Sequence, residues 1–461
     1  MNEHIHDWTA VRLAQALRRR KLRVIDVVEH MLDRITARDS VLRSYVTVSA
    51  SLARRQARRA DAELEAGRIR SPLHGVPIAV KDSLATRGVA TSNGAARLTD
   101  HYPIRDAAVV TRLDDSGLVM LGKLNLPEGA FGLHDPIIGA PRNPWHMDYW
   151  PGASSSGSGV ATAAGLCFAA VGTDSGGSIR HPSAANNLFG LKPTAGLVDT
   201  TGVFPLAPSL DHVGPMARSP ADLEALFMAL AGAARRSVEV DEPDGGALRV
   251  GVDRIWSEEA VDPLISRAMR ETEGRLVDLG MKLEPIHLPA WRECAELWMI
   301  LCAREAVGVH AGLETPISPS LRRLLAFGAT ADADRVEAAV IQRKRLTSAI
   351  EDVFVGVDLI LAPVQCFAPP RIDRLTAAEP DDRLPISPTD IGFTCLFNLT
   401  GHPALAMPAG FTEEGLPVGC QLVAPKGRER RLFHVARIFD KIAGFSLRRP
   451  QLASVDQFVN A

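Results

Sequence analysis

Two clusters of serine and glycine lie close together in the first half of the chain. They read Pro151-Gly152-Ala153-Ser154-Ser155-Ser156-Gly157-Ser158-Gly159 and Gly172-Thr173-Asp174-Ser175-Gly176-Gly177-Ser178-Ile179-Arg180. A packed core avoids such clusters, because each glycine adds backbone freedom that folding must remove. They persist where the chain turns sharply or approaches a ligand closely. The apolar stretch from Val160 to Val171 between them has room for a helix followed by a strand, which would return both clusters to one end of a sheet. A pocket rich in hydroxyls and backbone N–H groups is suited to acyl transfer, in which a hydroxyl attacks a carbonyl and preset N–H donors meet the developing oxyanion.

An attacking hydroxyl needs a group to take its proton. Of thirteen histidines, only His181 lies near the clusters, three positions after Ser178 and directly before Pro182, where a surface role is expected. No serine sits in a G-x-S-x-G elbow. A lysine can serve instead if burial lowers its pKa toward neutrality. Lys81 is the candidate, since it follows the apolar run Val76-Pro77-Ile78-Ala79-Val80, which reads as a buried strand. The segment Gly117 to Leu124 falls one residue short of a P-loop. Leu124 stands where a magnesium-binding hydroxyl is needed, and the intervening residues form an apolar strand, so no nucleotide site is expected.

The elements that must position these residues alternate. Residues 8–67 read as helices, with Ser49 to Ala66 a surface helix whose arginines are solvated. Helix 104–117 leads into a strand at 118–121, then comes the helix and strand between the two clusters. A helix over 219–232, a strand at 248–252 and a long helix over 258–280 follow. Residues 310–390 have the irregular, Pro-rich texture of a variable cap. Strands are expected over 358–363, 404–407 and 419–423, and a helix over 428–443. The pattern is α/β, and without an obvious linker the whole of 1–461 is expected to form one unit. Its parts are an N-terminal helical region (1–70), a catalytic core (71–220), a variable pocket region (310–395) and C-terminal core elements (396–445).

The balance of 52 Lys+Arg against 54 Asp+Glu gives no electrostatic argument for a nucleic-acid or membrane partner. The start MNEHIHDW carries no secretory signal, and no apolar run is long enough to span a bilayer, so a cytoplasmic protein is expected. The six cysteines, at 167, 294, 302, 366, 395 and 420, include no CxxC and read as reduced, buried thiols. His4 and His6 are expected in solvent, and no metal site or cofactor is implied.

In these residues the chain resembles the amidase signature family. The likeness runs from Gly75-Val76-Pro77-Ile78-Ala79-Val80-Lys81-Asp82 through Gly122-Lys123-Leu124-Asn125-Leu126-Pro127-Glu128 and Arg142-Asn143-Pro144 to both Ser/Gly clusters. It continues in Gly190-Leu191-Lys192-Pro193-Thr194, Ser209-Leu210-Asp211-His212-Val213-Gly214-Pro215-Met216 and Phe397-Asn398-Leu399-Thr400-Gly401-His402-Pro403-Ala404. The resemblance implies a large twisted mixed β-sheet with helices on both faces. It implies a Ser–cisSer–Lys triad of Ser178 as nucleophile, Ser154 as the cis-peptide serine and Lys81 as base. Ser154 and Ser178 stand 24 positions apart, the family's spacing. It also implies an oxyanion hole from the N–H groups of Ser175, Gly176, Gly177 and Ser178, with Ser155, Asp174 and Arg180 as supports. Ala153 and Ser156 replace the more usual glycines, and Ser175 a common threonine; these changes remove no triad atom and are expected to alter pocket shape.

The expected activity is hydrolysis of small amides, or of related carbamates, ureas and esters, through an acyl-enzyme and without a cofactor. The glutaminase subunit of a tRNA amidotransferase is a rival within the family, with Arg322, Arg323, Arg343 and Arg345 as available carboxylate binders. A non-catalytic binding protein on the same fold is the rival from another class. The acyl pocket is expected from Gly129-Ala130-Phe131-Gly132 and the 310–395 region, with Leu321, Leu324, Leu325, Phe327 and Phe367 either forming an apolar wall or packing the cap on the core. Members of the family are often homodimers.

Overall fold

A computed structural model describes residues 4–232, 247–259, 261–311, 317–373 and 388–452. Eleven strands form one mixed sheet: β1 (Tyr45–Val48), β2 (Pro77–Lys81), β3 (Val119–Leu124), β4 (Ala169–Asp174), β5 (Phe189–Lys192), β6 (His212–Ala217), β7 (Arg249–Val252), β8 (Lys282–Pro285), β9 (Leu359–Pro363), β10 (Ala404–Phe411) and β11 (Pro417–Val423). Their spatial order is β1-β3-β2-β4-β6-β5-β10-β11-β9-β7-β8. β2 runs parallel to both β3 and β4, and β7 parallel to β8 and β9, while the middle of the sheet is antiparallel. The central strands β2 to β6 are buried along their whole length, as expected of strands covered on both faces.

The pairing of β2 with β4 decides where the chemistry sits. Val80 is opposite Val171, so Lys81 and the Thr173–Asp174 end of β4 emerge at the same edge. Chain leaving the carboxyl ends of adjacent parallel strands is the usual place for a site in an open α/β sheet. The short helix Ser156–Ala163 then places the first Ser/Gly cluster against that edge, as its spacing predicts.

Several elements depart from the sequence expectation. β1, β5, β6 and β8 were not anticipated. β5 and β6 contain Gly190, Gly214 and Pro215, residues poor in strand propensity, and are held by pairing and burial. The region 310–390 is not irregular throughout: helices run over Pro319–Ala329 and Ala333–Gly356, and a third over Pro388–Leu399. Pro319 occupies the first turn of its helix behind the capping Ser318, a position where proline starts a helix. Together with helix Trp291–Val309 these elements form a second apolar core beside the main one. Leu321 and Leu324 are buried in it and Leu325 and Phe327 pack against it, so those four hold the cap to the body.

Helix Ala50–Glu65 is amphipathic: Ala53, Ala57, Ala60 and Leu64 face inward while Arg54 and Arg59 pair with Glu29 and Asp114. All six cysteines are buried and free. His4 is exposed, but His6 is half-buried and shares a 3.1 Å contact with the His30 ring, a correction to its expected place in solvent. Among the described residues no helix is long and apolar enough to cross a membrane.

Candidate active site

Lys81 ends β2 with its side chain wholly buried. Its Nζ donates to Ser154 Oγ at 2.8 Å and to Thr173 Oγ1 at 2.8 Å. Burial disfavours the ammonium, and Asp174 and Asp211 oppose that effect only in part, so its pKa falls from 10.5 to about 7. A second lysine, Lys123, is buried nearby but tied to Leu84 O, Thr91 Oγ1 and Asp82. It lies in strand β3, as the segment that mimics a P-loop was expected to.

Ser154 follows a cis peptide bond from Ala153. The turn is pressed onto helix Arg180–Ala185: a Cβ at Gly152, whose φ is +81°, would lie 2.3 Å from Pro182 Cα. Ser155 joins the two clusters. Its N–H donates to Ser178 O at 3.1 Å and its hydroxyl donates to Thr173 O at 3.1 Å. Ser178 is half-buried and, with Ser154, faces a common cavity. Ser156 Oγ lies 2.8 Å from Nε2 of the His134 ring, whose pKa burial and Lys81 lower to about 3.

The loop between β4 and Ser178 is fixed from below by Asp174. Its carboxylate accepts from Gly177 N at 2.7 Å, Ile179 N at 3.1 Å, Arg180 Nε and NH2 at 3.0 Å each, and Asn398 Nδ2 at 2.9 Å. Burial alone would raise this carboxyl; Arg180 and Asn398 outweigh it and hold it far below the usual range. Arg180 is fully buried and donates further to Thr394 O, Gln421 Oε1 and Asn398 Oδ1, tying the loop to helix Pro388–Leu399 and to β11. The Gly177 N–H is thereby directed at Asp174. From above, Trp298 Nε1 donates to Ser175 O at 2.6 Å and Thr394 Oγ1 to Gly176 O. A Cβ on Gly176 would lie 2.8 Å from the Trp298 ring, and one on Gly177 2.5 Å from Thr394 Oγ1, so neither glycine is replaceable without movement. Ser175 Oγ bonds Asp211, a carboxyl that burial pushes up to about 6 against its own hydrogen bonds.

The cavity above this loop has a volume of about 120 Å³. Its walls are largely apolar, with Phe131, Trp150, Leu206, Trp298, Phe367 and Ile391 the largest members. Of the loop expected here, Ala130, Phe131 and Gly132 line the cavity, whereas Gly129 does not; a Cβ on it would meet Leu321 at 3.3 Å. Among the five apolar residues of the cap, only Phe367 reaches the cavity. No lysine, arginine, aspartate or glutamate among the described residues lines it. Arg343 is turned away, bonded to Leu399 O and Ser209.

His181 is not on the surface, as its neighbourhood in the sequence suggested. It is 5% exposed, lines the cavity and lies against Gly177, with Nε2 3.3 Å from Thr394 Oγ1. Preceding a proline did not expose it, because Pro182 sits within the first turn of a buried helix. Sequence reading also missed Thr173 as the second partner of Lys81, and Trp298, Thr394 and Asn398 as holders of the loop. Thr173 and Asn398 lay inside recognised motifs without a role. Trp298 and Thr394 carried no local signal, since their effect arises from contacts over 100 residues away.

The family described as Amidase matches residues 26–433. A glutamyl-tRNA(Gln) amidotransferase subunit from Pseudomonas syringae pv. syringae is 35% identical, over 97% of this chain and 100% of that one. The putative amidase AmiD of Mycobacterium bovis is also 35% identical, covering 95% of this chain and 94% of its own length. Among solved structures, 6-aminohexanoate cyclic dimer hydrolase in complex with substrate superposes with a TM-score of 0.86 at 26% identity, covering 97% of this chain and all of that one. The peptide amidase from Stenotrophomonas maltophilia gives 0.80 at 27% identity, over 96% and 98% of the two chains.

Proposed function

This chain belongs to the amidase family, and we propose that it is a free-standing hydrolase of carbon–nitrogen bonds, acting on amides or related carbamates whose acyl part is apolar. The observation that carries the reading is a buried lysine, with a pKa near 7, hydrogen-bonded to Ser154 at the edge of an apolar cavity that Ser178 also faces. Neutral Lys81 takes a proton from Ser154, which takes one from Ser178, and Ser178 Oγ attacks the carbonyl carbon. The oxyanion is met by N–H groups of Ser175, Gly176 and Ser178, while the Gly177 N–H serves by anchoring the loop to Asp174. Each oxyanion donor is worth about 3–4 kcal/mol in systems where it has been removed. The C–N bond breaks as the relay returns a proton to the amine. Water then attacks the acyl-enzyme, with the same lysine as base. Buried free thiols fit a reducing compartment such as the cytoplasm.

The amidotransferase reading retains one support, the near full-length likeness to the Pseudomonas protein. Against it stands the cavity, where no described cationic side chain is placed to receive the carboxylate of glutamine. The test is release of ammonia and amine from primary aliphatic and aryl amides, anilides, aryl carbamates, allophanate and glutamine, with wild type and Ser178→Ala in parallel. Turnover of amides or carbamates by wild type alone supports the proposal. Turnover of glutamine alone would favour the amidotransferase, and inert wild type that still binds these compounds would favour a binding protein.

A further inference from the structure

Ser156, which stands where glycine is more usual, joins two segments that the mechanism above leaves unconnected. Its Oγ lies 3.4 Å from the carbonyl oxygen of Ser154 and 2.8 Å from Nε2 of His134. Among the described residues no other donor reaches that carbonyl. A hydroxyl has one proton and a carbonyl only accepts, so one arrangement makes both contacts hydrogen bonds. In it His134 Nε2–H donates to Ser156 Oγ, and Ser156 donates to Ser154 O. Burial and Lys81 bring the pKa of the ring to about 3, so at neutral pH it adds no charge beside the base. His134 is itself firmly placed. The carboxylate of the next residue, Asp135, accepts from Ala96 N at 2.9 Å and from Ile137 N at 2.8 Å, which pins the turn that carries the ring.

The residues just before His134, from Ala130 to Leu133, line the apolar cavity. A short path therefore runs from the cavity wall through His134 and Ser156 to Ser154, whose Oγ accepts from Lys81 at 2.8 Å. The neighbouring residue is held separately: Ser155 N–H donates to Ser178 O and its hydroxyl to Thr173 O. Those bonds fix Ser155, whereas the carbonyl of Ser154 is left to Ser156. We propose that His134, acting through Ser156, is a positioning residue for the proton relay: the pair holds the Ser154 peptide so that its hydroxyl stays in line with Lys81. This rests on the hydrolase reading above. No proton passes through His134, because the carbonyl between it and the relay cannot carry one onward. Ser154 passes protons in both acylation and deacylation, so a misaligned hydroxyl slows both steps without weakening the hold on substrate. The loss therefore falls on kcat rather than on KM.

The test is a double-mutant cycle read by ammonia release from one primary amide of an apolar acid. It compares wild type, His134→Ala, Ser156→Gly and the double variant, with His134→Gln as the conservative replacement and Tm as the check on folding. Neither His134 nor Ser156 lines the cavity, so substrate contacts are kept. Each single variant should lower kcat about tenfold while KM stays within about twofold. The double variant should be no slower than either single one, because both substitutions cut the same path. His134→Gln puts an amide N–H near the position of Nε2 and should recover most of kcat. Single variants with wild-type kcat, losses that multiply to about 100-fold in the double variant, or a loss carried by KM would overturn the inference while leaving the hydrolase reading intact. A loss of kcat that follows Tm and is not recovered in His134→Gln would overturn it in favour of a purely structural role. A wild type that turns over no amide or carbamate and forms no acyl-enzyme would overturn both readings.

Discussion

Lys81→Met removes the ionisable group and keeps most of the side-chain volume, so it isolates the cost of burying Lys81. In the unfolded chain the lysine titrates near 10.5, and in the folded protein burial brings it to about 7. Below pH 7 both states are protonated, and the folded protein bears the full cost of a buried cation. Between about 7 and 10.5 the folded lysine is neutral while the unfolded one still binds a proton. In that window the wild type therefore gains stability with rising pH, at about 1.4 kcal/mol per unit. The difference in unfolding free energy between Lys81→Met and wild type should accordingly move in favour of wild type by about 2 kcal/mol from pH 7 to pH 9. Urea unfolding of both proteins at several pH values measures it. The same titration sets activity: kcat/KM of wild type should rise through a midpoint near pH 7 and level off above it, because only neutral Lys81 accepts a proton. A stability difference independent of pH, together with an activity midpoint at pH 9 or above, would refute the reasoning.

Arg180→Met leaves the Asp174 carboxylate buried without its main partner, and should cost about 3–5 kcal/mol in denaturant unfolding, along with activity. Gly176→Ala places a methyl against the Trp298 ring, 2.8 Å away, and should lower kcat by about 10²-fold through displaced oxyanion donors, with a smaller change in Tm. Trp298→Phe removes the Nε1 bond to Ser175 O, and should cost about 1 kcal/mol of stability by thermal unfolding while lowering kcat more than it raises KM. Phe131→Arg introduces a cation into the acyl cavity and should reduce kcat/KM for apolar amides by at least about tenfold, as read from ammonia release.

Much of the site was legible because its chemistry resides in contiguous segments. The Ser/Gly clusters and the strand before Lys81 fix who meets whom once β2 and β4 pair in parallel, and the helix and strand between the clusters do what their length requires. The less visible parts depend on distant sequence. Trp298 and Thr394 reach the oxyanion loop from helices remote in the chain, and the role of each exists only in the folded protein. His181 was expected at the surface because it directly precedes Pro182, but that proline lies in the first turn of a short, wholly buried helix. Helix Ala333–Gly356 escaped notice for the opposite reason: it is largely solvated and buries only Ala339, Leu346 and Ile350, so no apolar stripe marks it. The short strands β5 and β6 are dictated by their neighbours. At Gly214, for example, a Cβ would come within 2.0 Å of Leu191 O, so close backbone approach, rather than strand propensity, selects the residue.

The most direct measurement is intact-protein mass spectrometry of enzyme quenched during turnover of a slow aryl ester or amide of an apolar acid, followed by peptide mapping. The acyl mass should appear on the peptide containing Ser178 in wild type, and neither adduct nor turnover should be found in Ser178→Ala. An adduct on another residue, or undiminished turnover in Ser178→Ala, would contradict the assignment of Ser178 as the nucleophile served by Ser154 and Lys81.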